Sequence, residues 1–452
     1  MNKNKNAFYD QLLKRALEAG FESAEVYAGG SESFSVSVFS GEIDKYDVRN
    51  SFGVSFRGIL NGKMGYSYSE ALDESSIEMM IKNAKEAAEV IENDDVQFMH
   101  DGSGNYLDDS GAFFPPLEDA GEEQKIKMAV EMEKTARGFD ERIKNVPYDS
   151  VSTASGHVTI KNTLGLDVSQ RSNYFTAMVG TVAEENGKTY MDYDFTIGHD
   201  ISALDHNALA ENAAKKTLSA IGAKPVPSGK YRAVLRNDIV CDIFATFADV
   251  FSAESAQKGR SLLAGKEDEV IANENISLFD DPLREGSVAV SSFDAEGFPT
   301  YKKSLIEKGK LMTLLHNMKT AHKQGVKSTG NAHKSGYRGT IDVAPSILVL
   351  ESGEKSFEQL LEEMGSGLVI TDLQGMHSGA NTVSGDFSLG AKGFLVESGK
   401  IVSPVEQITV AGNFFELLKS IGEVGSDVYK AFSGCALEMP SVLLRELSVA
   451  GS

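Results

Sequence analysis

Long apolar runs and cysteines are both scarce in this sequence of 452 residues. The longest apolar stretches, such as residues 345–350 and 367–370, have the length of strands and fall far short of the ~18 residues that cross a bilayer. The polar residues 1–6 are followed by a helical pattern and not by an apolar signal core. Two cysteines, Cys241 and Cys435, fit a reducing compartment, with a single disulfide between them as the alternative. These absences predict a cytoplasmic protein without a membrane span.

Basic residues are also in short supply. The chain has 44 Lys and Arg against 66 Asp and Glu, which gives a formal charge of −22 at pH 7. The electrostatic field of such a negatively charged protein repels the phosphate backbones of nucleic acids. The richest basic segment, residues 319–334, is short and diluted by Gly and Ala. Direct binding to nucleic acid is therefore not expected.

No pair of histidines has the spacing of a zinc hydrolase helix, in which two imidazoles lie four residues apart beside a glutamate. None of the eight histidines are four or five residues apart; they are His100, His157, His199, His206, His316, His322, His333 and His377. His316 and His322 are six apart, which favours solvated or hydrogen-bonded rings over ligation. The sequence predicts no metal ligand in this chain.

Other catalytic signatures are missing as well. The chain has no Gly-x-Ser-x-Gly elbow, no Walker loop and no dinucleotide fingerprint. Asp192, Asp194 and Asp200 lack the turn glycine and terminal glutamate of a calcium loop, so a charged strand edge is the better interpretation. Cys241 lies in an apolar helical stretch, which favours a buried structural thiol over a nucleophile. We therefore expect no catalytic residue in this chain.

The length and the patterns that are present predict an α+β protein of two or three domains. Residues 1–222 show helical periodicity over 7–19 and 73–91 and strand alternation between them, with Asn61-Gly62 as a hairpin turn. The Gly- and Pro-rich residues 92–123 predict a long surface connection, a candidate hinge and a sub-boundary. After a linker, residues 229–452 open with strand 231–235 and helix 237–251 and are mostly strand and loop beyond it. We place the main boundary between 222 and 229.

One polar, glycine-rich stretch, residues 373–393, is unusual for this chain. Its glycines permit close backbone approach, and four of its side chains offer polar groups: His377, Asn381, Ser384 and Asp386. On these residues alone, a functional loop and a merely irregular loop are equally good interpretations.

The same residues carry a resemblance to a known family. Val383-Ser384-Gly385-Asp386-Phe387-Ser388 and Ile408-Thr409-Val410-Ala411-Gly412-Asn413, together with Gln257-Lys258-Gly259-Arg260-Ser261, Asp294-Ala295-Glu296-Gly297-Phe298-Pro299-Thr300 and Ser328-Thr329-Gly330-Asn331-Ala332, occur here in order. They resemble the C-terminal signature of the TldD/PmbA family. The resemblance covers residues 231–451 well and the N-terminal half only in layout.

The resemblance implies a function that is shared between two subunits. In this family a TldD subunit holds zinc through His-Glu-x-x-x-His on a helix and joins a PmbA or TldE subunit to form a peptidase. The corresponding positions here are Phe244, Ala245 and Asp249, so the donors are replaced and the chain is similar to the non-catalytic PmbA type. The zinc is then expected in the partner subunit, and Cys435 is vestigial or incidental.

The resemblance also implies a substrate and candidate contacts. Unfolded peptide would enter a passage enclosed by the dimer, faced by the 375–393 loop and by Gly330 and Asn331. The family is linked to peptide maturation and carries an old label as modulators of DNA gyrase. A homodimeric peptide-binding or scaffolding protein without catalysis is the alternative, and an independent hydrolase with an unrecognised site is a third.

Overall fold

The computed structural model describes residues 3–92 and 95–452. Up to residue 222, the described residues form a six-stranded sheet and five α-helices. The strands are β1 Ser23–Phe39, β2 Glu42–Leu60, β3 Lys63–Ser69, β4 Ile143–Asn162, β5 Asp167–Glu185 and β6 Lys188–Gly198. The helices are α1 Lys3–Glu18, α2 Glu74–Glu89, α3 Pro115–Glu118, α4 Glu122–Gly138 and α5 His206–Ser219.

The N-terminal sheet is antiparallel throughout, in the order β3-β2-β1-β4-β5-β6. Its first three strands form a meander, as the alternating pattern predicted. Asn61 and Gly62 both have positive φ, 51° and 73°, at the turn between β2 and β3. Two such residues make the tight turn whose twist suits a hairpin, so the predicted turn is confirmed.

The two faces of this sheet differ because successive side chains of a strand point to opposite sides. On β1, Ala28, Phe34 and Val36 are buried on the face that the helices cover. Helices α1 and α2 pack on one end of that face, and α4 and α5 pack on the other. Between them on β1, residues such as Ser33 and Ser35 point to the opposite, polar face.

The connection predicted over residues 92–123 is not simply a surface loop. Its described part contains a 3₁₀ turn, Ser110–Ala112, and helix α3, and α4 already begins at Glu122. Ala112 is fully buried, and the Tyr106 hydroxyl donates to the Gly297 carbonyl at 2.8 Å. The segment is therefore packed against the C-terminal half, because it supplies apolar and hydrogen-bonding contacts that the periodicity did not show. The hinge stays a prediction.

The C-terminal half is mostly strand. The strands are β7 Gly229–Leu235, β8 Leu278–Asp280, β9 Lys303–Glu307, β10 Lys310–Leu311, β11 Ala332–His333, β12 Asp342–Val343, β13 Ile347–Leu350, β14 Gly367–Gln374, β15 Asp386–Glu397, β16 Lys400–Asn413, β17 Ile421–Val424, β18 Tyr429–Ser433, β19 Cys435–Met439 and β20 Val442–Ala450. The helices are α6 Asn237–Phe247, α7 Ala253–Gln257, α8 Met318–Gln324, α9 Phe357–Met364, α10 Met376–Gly379 and α11 Phe414–Ser420. Across residues 3–92 and 95–452, we find no helix long and apolar enough to span a membrane.

Two six-stranded sheets organise this half, in the orders β10-β9-β8-β13-β19-β18 and β16-β15-β14-β7-β20-β17. Most pairings are antiparallel, and β7 with β14 and β13 with β19 are parallel. Helix α6 contacts β14 of one sheet and β18 and β19 of the other, so it lies between them in the largest apolar core. The predicted class, α+β with a mostly β C-terminal half, is confirmed.

Two predicted elements of this half need correction. Helix 237–251 is α-helical only to Phe247 and ends as a 3₁₀ turn, Ala248–Phe251. The 373–393 stretch is loop and short helix only from Gly375 to Gly385, because β14 extends to Gln374 and β15 begins at Asp386. Gly393 is in β15, where an added Cβ would lie 1.7 Å from the Val369 carbonyl oxygen. Its glycine allows close approach of two strands and does not make a loop.

Candidate functional site

Helix α6 carries the positions at which the family resemblance places zinc ligands. Phe244 and Phe247 are each 1% exposed. The Phe247 ring stacks on Phe414 with centroids 4.7 Å apart, and Phe244 meets the same ring edge-on at 5.6 Å. Phe387 closes the cluster at 6.5 Å from Phe247. This face of the helix is a dry aromatic core.

The remaining two positions, Ala245 and Asp249, provide few ligand atoms for a cation. Ala245 packs against the same core with a methyl group. Asp249, in the 3₁₀ turn after α6, accepts a hydrogen bond from the Ser255 hydroxyl at 2.5 Å. Zinc sites need three or four converging N, S or O donors. A phenyl ring, a methyl group and one engaged carboxylate do not fit that requirement, so these residues would not hold zinc.

Over the part of the chain that the structure describes, no group of three or more His, Cys, Asp or Glu side chains is arranged to hold a metal ion. His322 lies against the Phe98 ring at 4.8 Å, and His316 is 1% exposed, with burial lowering its pKa.

Both cysteines are buried and free, which confirms the interpretation of Cys241 as a buried structural thiol and removes the disulfide alternative. Burial raises the pKa of Cys435 to about 12 and also raises the pKa of Cys241. The thiolate is the form that binds metals and attacks carbonyls. Neither side chain is prepared for catalysis at neutral pH.

We predict that neither thiol reacts readily with an aromatic disulfide reagent in the folded protein at neutral pH. Because Cys241 and Cys435 are buried, the reagent does not reach their thiols. Burial also raises their pKa, which keeps them protonated. The measurement is thiol release with time, with the urea-unfolded protein as the control that should show both groups. Fast labelling of either cysteine in the native state would contradict this account.

The loop formed by residues 375–386 brings together four of the predicted contact residues. His377, Asn381 and Asp386 are exposed and Ser384 is half-buried. The Asn381 side-chain oxygen accepts from the backbone amides of Val383 and Ser384 at 3.0 and 3.1 Å. The Ser384 hydroxyl donates to Asp386 at 2.8 Å. These side chains thus build an ordered turn with polar groups that face solvent.

Asn413 at the end of β16 holds this loop, and the predicted site did not include it. Its amide donates to the Ser384 carbonyl at 2.8 Å and to Asp386 at 2.9 Å, and its oxygen caps α11 by accepting from the Phe415 amide at 3.0 Å. The hydrogen bonds from Asn413 and Ser384 lower the pKa of Asp386. Gly385 (φ 83°) is required here because an added Cβ would lie 2.8 Å from the Phe415 ring.

Replacing Asn413 with alanine is expected to destabilise the protein by about 1 to 3 kcal/mol, because a helix cap and two loop hydrogen bonds are lost together. Hydrogen exchange of residues 380–386 should accelerate in parallel. Asn413→Ser is the matched control, since its hydroxyl can still cap α11 while the amide donors to Ser384 and Asp386 are lost and no second carboxylate is placed beside Asp386. Unchanged exchange in the loop of the alanine variant would show that Asn413 does not hold it.

The other two predicted contacts, Gly330 and Asn331, are buried. Asn331 is 1% exposed, and its amide donates to Asp280 at 2.7 Å and to the Ala344 carbonyl at 3.1 Å. Its oxygen accepts from the Lys303 ammonium at 3.0 Å. Asp280 and Lys303 belong to β8 and β9 of one sheet, whereas the 375–386 loop lies at the ends of β14 and β15 of the other. The structure therefore does not join the two groups in one site.

The structure also contains a polar cluster between the two halves that no sequence pattern indicated. The Arg57 guanidinium on β2 donates to Glu25 on β1 at 2.6 Å and lies 3.8 Å from Glu296 of the C-terminal half. Glu296 in turn accepts from the Met318 amide at 2.8 Å. All three charged side chains are at most 7% exposed. They tie the N-terminal sheet to the C-terminal half.

Lys334, at the end of the 319–334 segment, belongs to the same region. Its ammonium donates to the Ser55 hydroxyl at 2.5 Å and lies 4.4 Å from the Tyr27 ring centroid. Burial and the nearby Arg57 lower the pKa of Lys334 to about 7. Lys319 pairs with Asp95 at 2.7 Å. Neither lysine is free to form a basic surface.

A cavity of about 560 Å³ lies on the polar face of the N-terminal sheet. Gly29, Ser31 and Gln170 are among its lining residues, and Tyr337 and Arg338 close one side. Both closing residues bond to Glu70, which fixes this wall. Neither the 375–386 loop nor Asn331 lines this cavity.

Comparison with known proteins identifies the class to which this fold belongs. Models of the PmbA/TldA metallopeptidase match at residues 24–88 (domain 1), 115–221 (central domain) and 228–451 (C-terminal domain). The chain belongs to the PmbA/TldD metallopeptidase family.

Particular relatives match along nearly the whole chain. It is 28% identical over 448 residues to metalloprotease PmbA of Escherichia coli O157:H7, covering 98% of this chain and 96% of that protein. A solved structure from Thermotoga maritima, described as a candidate modulator of a DNA gyrase, is 34% identical with a TM-score of 0.91, covering 98% of this chain and all of that one. TldE from Thermococcus kodakarensis is 25% identical with a TM-score of 0.90 and the same coverage.

Proposed function

We propose that this chain is the PmbA/TldE-type, non-catalytic subunit of a two-part peptidase of the cytoplasm, whose zinc is held by a TldD-like partner. The observation that carries the proposal is the environment of helix α6. Phe244 and Ala245 belong to a dry core, and Asp249 is engaged by Ser255. When bound in the other subunit, the zinc would supply the water-activating chemistry of the reaction.

The packing around α6 supports this division of roles. Introducing histidine at 244 would place an imidazole against the Phe414 ring in the core between two sheets, where a charged or metal-bound group is strongly disfavoured. The position is thus built for packing, which agrees with a subunit that keeps the family fold without the family's ligands.

In this proposal the chain's own contribution is to enclose and contact the substrate, an unfolded peptide. The 375–386 loop is the exposed candidate, because its polar side chains face solvent while Asn413 keeps them ordered. An ordered loop loses less entropy when it meets a ligand. The charge of −22 supports the expectation of no direct nucleic-acid contact, so any link to gyrase would be indirect.

The test is reconstitution with a TldD-type subunit that carries His-Glu-x-x-x-His. We expect a stable complex and hydrolysis of an unfolded peptide that a chelator abolishes, whereas each subunit alone gives little or none. If no complex forms and no new hydrolysis appears, the proposal fails. Peptide binding by the chain alone, without hydrolysis under any pairing, would instead support the alternative of a homodimeric peptide-binding or scaffolding protein.

The contribution of the 375–386 loop to substrate binding can be measured by the kinetics of the reconstituted complex. Asn381→Ala and Asp386→Ala are expected to raise KM about three- to tenfold with kcat little changed, because they remove polar groups that order and present the loop and remove no reacting group. Asp268→Asn, in an exposed loop elsewhere, is the matched control. Loop variants that leave KM unchanged would remove the 375–386 loop from the substrate path.

A further inference from the structure

The helix-covered face of the N-terminal sheet has a polar gap between α1 and α3. Residues two apart on a strand point to the same side, so His157 shares its side of β4 with the core residue Val151. On β5, Ser169 and Arg171 share their side with the core residue Phe175 in the same way. Polar side chains thus occupy positions that would be apolar beneath a helix. A cavity of about 440 Å³ opens there, which is large enough for a small molecule.

Within this cavity, the His157 ring has a defined position. Gly30 lies opposite His157 on β1, and an added Cβ there would be 2.4 Å from the imidazole Cε1. The glycine therefore lets the imidazole lie across β1 and stack on the Phe52 ring, with the ring centroids 5.8 Å apart. Burial, with Lys5 and Arg171 nearby, lowers the pKa of His157. The ring is therefore neutral at pH 7 and can donate a hydrogen bond through one nitrogen.

Two opposite charges line this cavity without being paired. Lys5 of α1 and Glu32 of β1 are both among its lining residues. Within residues 3–92 and 95–452, no carboxylate lies within 4.0 Å of the Lys5 ammonium, and no cationic group lies within 4.0 Å of the Glu32 carboxylate. Lys5 instead lies 3.6 Å from the Phe52 ring centroid, and Glu32 accepts a hydrogen bond from the Asn50 amide at 3.4 Å. The cavity thus keeps a cation and an anion apart.

The other two charges of the cavity already have partners. The Arg171 guanidinium lies 3.8 Å from the Glu118 carboxylate and 3.8 Å from the Phe113 ring centroid. Glu118 also accepts from the Asn173 amide at 3.2 Å. Lys5 and Glu32 are therefore the two charged groups of this cavity that remain for a ligand.

We propose that this cavity binds a free α-amino acid, whose carboxylate accepts from Lys5 and His157 and whose ammonium group donates to Glu32. A zwitterion satisfies both unpaired charges at once. A simple anion would meet Glu32 and a simple cation would meet Lys5, so each would face one like charge. Hydrogen bonds between charged groups are the strong ones, and they fix the orientation of the ligand.

The amino-acid site is separate from the candidate peptide contacts. The residues that line the cavity all belong to the N-terminal half, on α1, α3, β1, β4 and β5. The 375–386 loop does not line it, and neither does the cavity on the polar face of the sheet use Lys5 or Glu32. Binding of an amino acid therefore does not depend on the proposed role in a peptidase.

The test is binding of the common proteinogenic amino acids to the full chain, screened by saturation-transfer NMR and measured by calorimetry. We expect at least one of them to bind. The amide of that amino acid lacks the carboxylate and its N-acetyl derivative lacks the ammonium charge, so each should bind about tenfold more weakly or worse. The proposal is overturned if no amino acid binds or if both derivatives bind as well as the parent. Acetate that binds as tightly as the amino acid would indicate a simple anion site and would also overturn it.

Charge-removing variants locate the site. Lys5→Gln and Glu32→Gln should each weaken binding about tenfold or more, because each removes one charged partner while nearly keeping the size of the side chain. Lys14→Gln on α1 and Glu86→Gln on α2 change the net charge in the same way and lie in exposed ion pairs. These matched controls should leave the affinity unchanged.

Wild-type affinity in both Lys5→Gln and Glu32→Gln would overturn the proposed contacts. Lys5 is half-buried and Glu32 is exposed, so circular dichroism should show that both variants keep the fold. All binding is measured on this chain alone, without a TldD-type subunit and without hydrolysis. This proposal and the peptidase proposal can therefore fail separately.

Discussion

Arg57→Met is expected to lower the free energy of unfolding by about 3 to 5 kcal/mol, because it leaves Glu25 and Glu296 buried without their shared cation. The cost is large because the three side chains are almost inaccessible to water, so an unpaired carboxylate cannot be solvated. Since the cluster joins the N-terminal sheet to the C-terminal half, residues 95–112 should also be cleaved faster by proteases. The chain has no tryptophan, so unfolding in urea is best followed by circular dichroism.

Two further variants separate charge pairing from packing. The triple variant Glu25→Gln/Arg57→Met/Glu296→Gln removes all three charges and should recover most of the loss. Arg445→Met, at an exposed position of β20, is the surface control and should change stability by no more than about 0.5 kcal/mol. An Arg57→Met protein as stable as the wild type would mean that water reaches the carboxylates.

Asp149→Asn is expected to stabilise the protein at pH 7 by about 2 to 4 kcal/mol. Asp149 on β4 is 2% exposed, and neither carboxyl oxygen has a hydrogen-bond partner in the described structure. Burial, reinforced by Glu133 of α4, raises the pKa of Asp149 to about 8 from its ordinary value of 3.8. An asparagine has no charge to bury.

The pH dependence follows from the direction of this shift. Between pH 3.8 and about 8 the unfolded chain has lost the Asp149 proton while the folded chain keeps it, so folding takes up a proton and stability falls as pH rises. The contribution is fully present below the unfolded pKa and is lost once pH passes the folded pKa. Stability of the wild type should therefore fall over this window more steeply than that of the Asp149→Asn variant.

Urea unfolding at several pH values between 4 and 9 checks this expectation, with the other carboxylates common to both proteins. Glu123→Gln, exposed on α4, is the control for removing one negative charge. It should leave the slope of the unfolding free energy against pH unchanged. Equal slopes for the wild type and the Asp149→Asn variant would mean that Asp149 titrates normally in the folded protein.

The candidate site shows what local sequence can and cannot reveal. Asn381, Ser384 and Asp386 form a local turn, and their short separations let the motif indicate it. Asn331 has the same polar character, but its partners Asp280 and Lys303 are far away in sequence and bury it. From the sequence alone, a polar residue that contacts solvent cannot be distinguished from one that distant partners bury, because strand pairing decides between the two.

The sequence by itself determined the features that depend on neighbouring residues: the α+β class and the β1–β3 meander with its Asn61-Gly62 turn. Only the tertiary structure decided that Arg57 joins Glu25 to Glu296 and that Lys5 and Glu32 line one cavity. The reason is physical. Periodicity and turn preference act over a few residues, whereas burial and charge pairing depend on which distant strands and loops come into contact.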